Sequence, residues 1–92
     1  MMDAVDRVQA IEDLLNESLK PEFLQVEDES HLHVGHAGAR DGRGHFRVSM
    51  VSAAFNDMPV LARHRAIYAA LGDLMSSDIH ALAIEATASD EL

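Results

Sequence analysis

Residues 45–52, HFRVSMVS, alternate between polar and apolar side chains. A period of two residues is typical of a strand with one buried face, because successive side chains of an extended chain point to opposite sides. The apolar side of this segment carries Phe46, Val48 and Met50, and the polar side carries His45, Arg47 and Ser49. The sequence therefore predicts a half-buried strand, with the guanidinium of Arg47 in solvent.

Helical and extended patterns surround this strand. Apolar side chains recur at three- and four-residue intervals from Asp3, a predicted N-cap, to Leu19, and again from Leu61 to Met75. Shorter apolar runs predict three further elements, which are a strand at residues 22–28, a helical turn at 53–55 and a strand at 78–86. The last strand is apolar on both faces, which is typical of a strand that is central or covered on both sides.

The element order is helix, strand, strand, short helix, helix, strand. The first two strands should pair antiparallel across a long glycine-rich loop at residues 29–43, and a right-handed crossover through the helices should make the second and third strands parallel. We therefore expect an α+β domain of two layers, in which helices pack on a three-stranded mixed sheet. With 92 residues and no linker, the chain predicts a single domain with a core at about 3–86 and an acidic tail at 87–92.

The charge of the chain is strongly negative but unevenly distributed. The formal net charge is −9, which argues against nucleic-acid binding by bulk electrostatics. Residues 31–65 nevertheless carry five arginines against two aspartates, so this middle section favours an anionic partner. The N-terminus resembles neither a secretory signal nor a transit peptide, and no apolar stretch approaches the ~20 residues of a membrane span. We expect a cytoplasmic protein that contacts no membrane.

Histidines are the most distinctive side chains. The chain has six histidines and no cysteine, so it offers imidazole but no thiolate to a metal. Three of the histidines lie together in the predicted loop, namely His31, His33 and His36. They either converge on an ion such as zinc or nickel or are solvated side chains. His80 begins an apolar strand and is either a hydrogen-bonded interior histidine or a ligand at a strand end. His45 is interpreted as structural or as a surface neighbour of Arg47.

Arg63-His64-Arg65 begins the long second helix directly after a short helical turn. This arrangement suits a helix-turn-helix whose basic side chains face a phosphate backbone. The alternative is a solvated helix face that contacts a protein partner, because the helix lacks a cluster of base-reading side chains. No nucleophile elbow, paired carboxylates or phosphate-binding glycine loop occurs in the sequence. We therefore predict that the protein is not an enzyme.

Several separated blocks occur in order between about Val5 and Ala86. The blocks are Asp28-Glu29-Ser30, Gly44-His45-Phe46-Arg47-Val48, Val51-Ser52 with Phe55, Arg63-His64-Arg65, Ile67-Tyr68 with Leu71, and Ile79-His80-Ala81-Leu82-Ala83-Ile84. Together these blocks closely resemble the BolA family. The resemblance implies a fold similar to a type II KH domain, in agreement with the predicted element order. It also implies a non-enzymatic adaptor that partners a monothiol glutaredoxin.

The resemblance further implies a shared cofactor. BolA-like proteins share a [2Fe-2S] cluster with the glutaredoxin and glutathione, which supply thiolates, while the BolA-like chain supplies histidine and holds no cofactor when alone. The family's ligands fall on His80 and, counted without gaps from the Asp-Glu-Ser block, on His33, with His36 as the alternate loop ligand. Mixed ligation by cysteine and histidine has a precedent in Rieske sites. The expected role is in iron homeostasis or iron–sulfur trafficking.

The resemblance also implies an alternative role as a DNA-binding transcriptional regulator of stress response and cell morphology. The helix-turn-helix region would then use Arg63, His64 and Arg65, and Arg47 is a further candidate for contact with a nucleic acid or a protein partner. The free chain is expected to be a monomer, with a homodimer as the alternative.

Overall fold

The computed structural model describes residues 3–33 and 42–92. The elements in chain order are α1 (Ala4–Leu19), β1 (Phe23–Asp28), a 3₁₀ helix (Ser30–His33), β2 (Gly44–Ser52), a second 3₁₀ helix (Ala53–Phe55), α2 (Val60–Leu71), α3 (Leu74–Ser77), β3 (Ile79–Ala88) and a third 3₁₀ helix (Ser89–Glu91). The predicted order of helices and strands is confirmed. Within these residues, no helix is both long and apolar enough to cross a lipid bilayer.

Capping interactions and left-handed backbone conformations define the ends of the helices. The carboxylate of Asp3 accepts a backbone N–H from the first turn of α1, which confirms the predicted N-cap. Lys20 ends the same helix in a left-handed conformation with φ of 45°. Gly72, with φ of 54°, donates its N–H to the carbonyl oxygen of Tyr68 and ends α2. The predicted second helix is therefore divided into α2 and α3.

The sheet has the order β1-β2-β3. The β1–β2 pair is antiparallel and the β2–β3 pair is parallel, as predicted. The expectation that the last strand is central or covered on both sides is wrong, because β2 is the central strand and β3 is an edge. Alanine explains the misleading pattern. The outer face of β3 carries Ala81 and Ala83, which count as apolar but expose little surface when left uncovered.

The core lies between the helices and one face of the sheet. The predicted apolar face of β2 is buried there, which confirms the alternation at residues 45–52. The helices cover it with fully buried side chains from α1 and α2, including Ile11, Leu15 and Ile67. The opposite face of β2 carries Arg47 and Ser49, both half-buried.

Candidate functional site

The starts of β2 and β3 meet at one end of the sheet. Gly44 donates its backbone N–H to the carbonyl oxygen of Asp78 at 2.9 Å. A side chain at Gly44 would be obstructed on the core side, because a Cβ there would be 2.6 Å from the ring of Phe46. The chain that returns from the β1–β2 connection is thereby docked against the residues that enter β3.

A β-bulge lies at His80, at this end of the sheet. Gly44 pairs with Ile79, but the next residue, His45, pairs with Ala81, so His80 is an extra residue in β3. Ile79 is 1% exposed in the core, whereas His80 is exposed, so the interior alternative for His80 is wrong. The extra residue shifts the alternation by one, which keeps both Ile79 and Leu82 on the core side of the strand.

Two imidazoles and a guanidinium gather around the bulge. The ring centroids of His45 and His80 lie 5.2 Å apart with planes inclined at 43°, and His45 is only 8% exposed. Nη2 of Arg43 lies 3.0 Å from Nδ1 of His80. Because a guanidinium can only donate, Nδ1 accepts this hydrogen bond, and the proton of a neutral His80 ring then lies on Nε2.

Arg7 of α1 reaches across to the same end of the sheet. Its Nε donates to Oδ2 of Asp78 at 3.0 Å and its Nη2 donates to the carbonyl oxygen of Gly42 at 2.7 Å. The side chains of Arg7 and Asp78 are each 13% exposed. Hydrogen bonds from the hydroxyl of Ser77 and from the Arg7 guanidinium lower the pKa of the Asp78 carboxyl below its ordinary value. The carboxylate is thus held ionised beside the arginine.

Arg47 lies on the open face of the sheet, next to the bulge. Its Nε is 3.1 Å from a carboxylate oxygen of Glu29 and its Nη1 is 3.5 Å from one of Glu85. Hydrogen bonding and charge from Glu29 raise the pKa of Arg47. Arg47, predicted to lie in solvent, has a side chain that is 39% exposed and borders a shallow cleft of about 290 Å³ whose lining includes His45 and Ala81.

Arg63 is buried, which corrects the expectation that it faces a phosphate backbone. The residue is 7% exposed, and its guanidinium donates to the carbonyl oxygens of Met58 at 2.9 Å and Ala86 at 3.1 Å. Both carboxylate oxygens of Glu91 accept from it, at 2.6 and 3.1 Å. These donors are used to hold the domain together. In the same helix, Arg65 is exposed and His64 is half-buried.

The loop histidines are placed only in part. His31 is exposed in the first 3₁₀ helix. His33 is the last residue of that helix, but its side chain and the whole of His36 lie outside the described residues. The prediction of His33 or His36 as the loop ligand therefore stays a prediction. Over residues 3–33 and 42–92, no group of three or more histidine, aspartate or glutamate side chains is arranged to hold a metal ion.

The sequence analysis missed Arg7, Arg43 and Asp78 as parts of this end of the sheet. Arg7 and Asp78 are 71 residues apart and Arg43 and His80 are 37 apart, and no periodic pattern connects residues at such separations. The only local signal is the position of Asp78 directly before the last strand, where any polar residue is common.

Comparisons with known proteins agree with this architecture. The family model described as BolA-like protein matches residues 3–91. The solved BolA domain of SufE1 from Arabidopsis thaliana superposes with a TM-score of 0.83 and 37% identity, covering 100% of both chains. The DNA-binding transcriptional regulator BolA of Haemophilus influenzae is 36% identical over 83 residues, which are 90% of this chain and 78% of the relative.

Human BolA-like protein 1 is 43% identical over 77 residues, which are 84% of this chain and 54% of the human protein. The chain thus spans about half the length of that relative. The match to the family model extends from the N-cap of α1 to the last 3₁₀ helix, and the solved domain has the same fold. The chain belongs to the BolA family.

Proposed function

We propose that this chain is a non-enzymatic adaptor that binds a monothiol glutaredoxin and shares a [2Fe-2S] cluster with it, in iron homeostasis or iron–sulfur trafficking. The observation that supports this proposal most directly is the exposed His80 imidazole at the β-bulge. The fold holds this imidazole at the surface, beside the returning end of the β1–β2 connection, where it would be open to a partner's iron atom.

The donor set of the chain fits a shared site. His80 would supply one nitrogen ligand and a histidine of the loop, His33 or His36, would supply the second, while the thiolates come from glutaredoxin and glutathione. A bound cluster would supply iron whose reduction potential is sensitive to the exchange of thiolate for neutral imidazole. Nδ1 of His80 accepts from Arg43, so this hydrogen bond would be lost whether a metal bound Nδ1 directly or bound Nε2 with the ring proton on Nδ1.

The test is reconstitution with a purified monothiol glutaredoxin, iron, sulfide and glutathione. The mixture should give visible absorption and circular dichroism spectra that differ from those of the glutaredoxin alone. His80→Ala should abolish the difference, and His64→Ala, which removes a half-buried imidazole from α2, should preserve it. An unchanged spectrum in His80→Ala contradicts the ligand assignment, and identical spectra with and without the wild-type chain contradict the shared cluster.

The loop ligand is tested in the same mixture. His33→Ala and His36→Ala are compared, with His31→Ala as the control because His31 is exposed in the first 3₁₀ helix. The variant that loses the shared spectrum identifies the ligand. Equal spectra for all three variants would contradict a histidine ligand from the loop.

A second candidate function, DNA binding, is favoured by the relative that is named as a DNA-binding transcriptional regulator and by the exposed guanidinium of Arg65 on α2. Binding through phosphate contacts should weaken steeply with salt and should be reduced in Arg65→Ala. Binding that is detectable only at very low salt and shows no preference for any sequence would contradict this function.

A further inference from the structure

We infer that Arg7 is a positioning residue, which fixes residues 42–44 against the start of β3 and thereby holds Arg43 beside the imidazole of His80. The effect of Arg7 on His80 as a cluster ligand rests on the proposed function. The docking itself is a property of the chain alone and is tested separately below.

Arg7 joins two segments that are distant from it in sequence. It donates from Nε to the carboxylate of Asp78 at 3.0 Å and from Nη2 to the carbonyl oxygen of Gly42 at 2.7 Å. Asp78 precedes His80 by two residues, and Gly42 is the first described residue of the returning chain. Because both side chains of the ion pair are 13% exposed, water competes less with these bonds than with those of a surface pair.

Two further contacts attach the returning chain to the same place. The N–H of Gly44 donates to the carbonyl oxygen of Asp78 at 2.9 Å, and Nη2 of Arg43 donates to Nδ1 of His80 at 3.0 Å. Residues 42–44 are thus held to residues 78–80 at three consecutive positions. Arg7 supplies the contact of Gly42, and through Asp78 it joins that residue to the start of β3.

The shape of arginine matters for this role. A guanidinium presents several N–H donors in a rigid plane and can serve a carboxylate and a carbonyl at once, whereas an ammonium on a flexible stem is a point donor. Gly42 has φ of 84°, a conformation that side chains other than glycine rarely adopt, and this conformation presents its carbonyl oxygen to Arg7. Arg7→Lys therefore keeps the positive charge but should lose one of the two attachments.

The first experiment measures amide hydrogen exchange in the free protein. In Arg7→Lys and Arg7→Met, the amide of Gly44 should exchange at least tenfold faster than in wild type. The amide of Ala88, which donates to Glu91 at the other end of β3, should keep its rate and so exclude global destabilisation. Gln9→Ala is the matched control, because it removes a hydrogen bond of α1 to Asp13 that touches neither strand. An unchanged rate at Gly44 overturns the inference.

The second experiment uses the reconstituted mixture with glutaredoxin. Arg7→Lys should alter the visible circular dichroism of the shared cluster and shorten its lifetime severalfold, and Gln9→Ala should do neither. Faster exchange at Gly44 together with an unaltered cluster overturns the role of Arg7 toward the ligand, while the proposed function stands. If the wild-type mixture gives no shared spectrum, the proposed function is wrong, and so is the role of Arg7 toward the cluster ligand. In that case the hydrogen-exchange data test only whether Arg7 docks residues 42–44 against the start of β3.

Discussion

β2 and β3 run side by side, and an arginine forms hydrogen bonds near each end of β3. Where the strands finish, Arg63 is buried and directs its four hydrogen bonds to Met58, Ala86 and Glu91. Where the strands begin, Arg7 holds Asp78 and Gly42, and the imidazole of His80 beside them is exposed. We shall call these the closing end and the opening end.

The difference shows how one residue type serves two purposes. At the closing end Ser52 is also fully buried, and its hydroxyl donates to the carbonyl oxygen of Leu19. At the opening end the tie holds the backbone while a polar side chain with metal-binding chemistry faces outward. Stability should therefore be sensitive to substitutions at the closing end, and binding should be sensitive to substitutions at the opening end.

The largest effect on stability is expected for Arg63→Met. Methionine retains much of the aliphatic length but removes all donors, so the carbonyl oxygens of Met58 and Ala86 and the carboxylate of Glu91 lose their partner. We expect the melting temperature to fall by roughly 10–15 °C. The control is Arg65→Met, because Arg65 lies two residues further along α2 and is exposed. This variant should melt close to wild type. Equal melting temperatures for the two variants would contradict the structural role of Arg63.

Gly44→Ala should come next, at the opening end. The new methyl group would lie 2.6 Å from the ring of Phe46 and 3.0 Å from Oγ of Ser30, so the fold must shift to accommodate it. Urea unfolding should show a loss of about 1–3 kcal/mol. In the double variant with Phe46→Leu, the penalty of the added methyl should be smaller, because the clashing ring is gone. Strict additivity of the two substitutions would show that the ring is not the obstacle.

A smaller, pH-dependent effect is expected for Glu91→Gln. Hydrogen bonds from Arg63 and from the backbone N–H of Ala88 lower the pKa of Glu91. A carboxyl with a lowered folded-state pKa stabilises the fold above its unfolded-state value, here about 4.5, and this contribution is lost as the pH falls through the folded-state pKa. Urea unfolding from neutral to acidic pH should therefore show a gap between wild type and Glu91→Gln that closes below about pH 4.5. A gap of constant size would contradict the prediction.

The smallest effect on stability is expected for His80→Ala. The imidazole is exposed, so its removal should change the free energy of unfolding by no more than about 0.5 kcal/mol. The same substitution is expected to abolish the shared cluster spectrum. A large loss of stability would show that His80 belongs to the structural framework and that the two ends of the strand pair are not so different.

The sequence predicts the fold well because the fold depends on local patterns. The alternation at residues 45–52, the N-cap at Asp3 and the crossover from β2 to β3 each rest on neighbouring residues or on a general rule of chain topology, and each is confirmed. The wrong prediction that β3 is central or covered on both faces also has a local cause. A pattern of apolar residues does not distinguish a buried alanine from one that is left exposed.

The candidate site is less predictable because its contacts join distant segments. His80 stands out in the sequence as a polar residue in an apolar run, but the bulge at this position depends on the pairing of β3 with β2. Arg63 is misjudged for the same reason. It lies in a basic triplet that looks solvated, and its partner Glu91 is 28 residues away in a different element.

The bulge at His80 also limits which changes in chain length the sheet can absorb. If residue 80 were deleted, Ile79 would become the direct neighbour of Ala81, and the period of two would be continuous through the start of β3. Ile79, Leu82 and Ile84 would then all lie on the core side of one regular strand, because residue 80 is the single extra residue between Ile79 and the rest of the strand. A substitution at this position tests only the imidazole, whereas a deletion would also remove the bulge without turning the rest of the edge strand over.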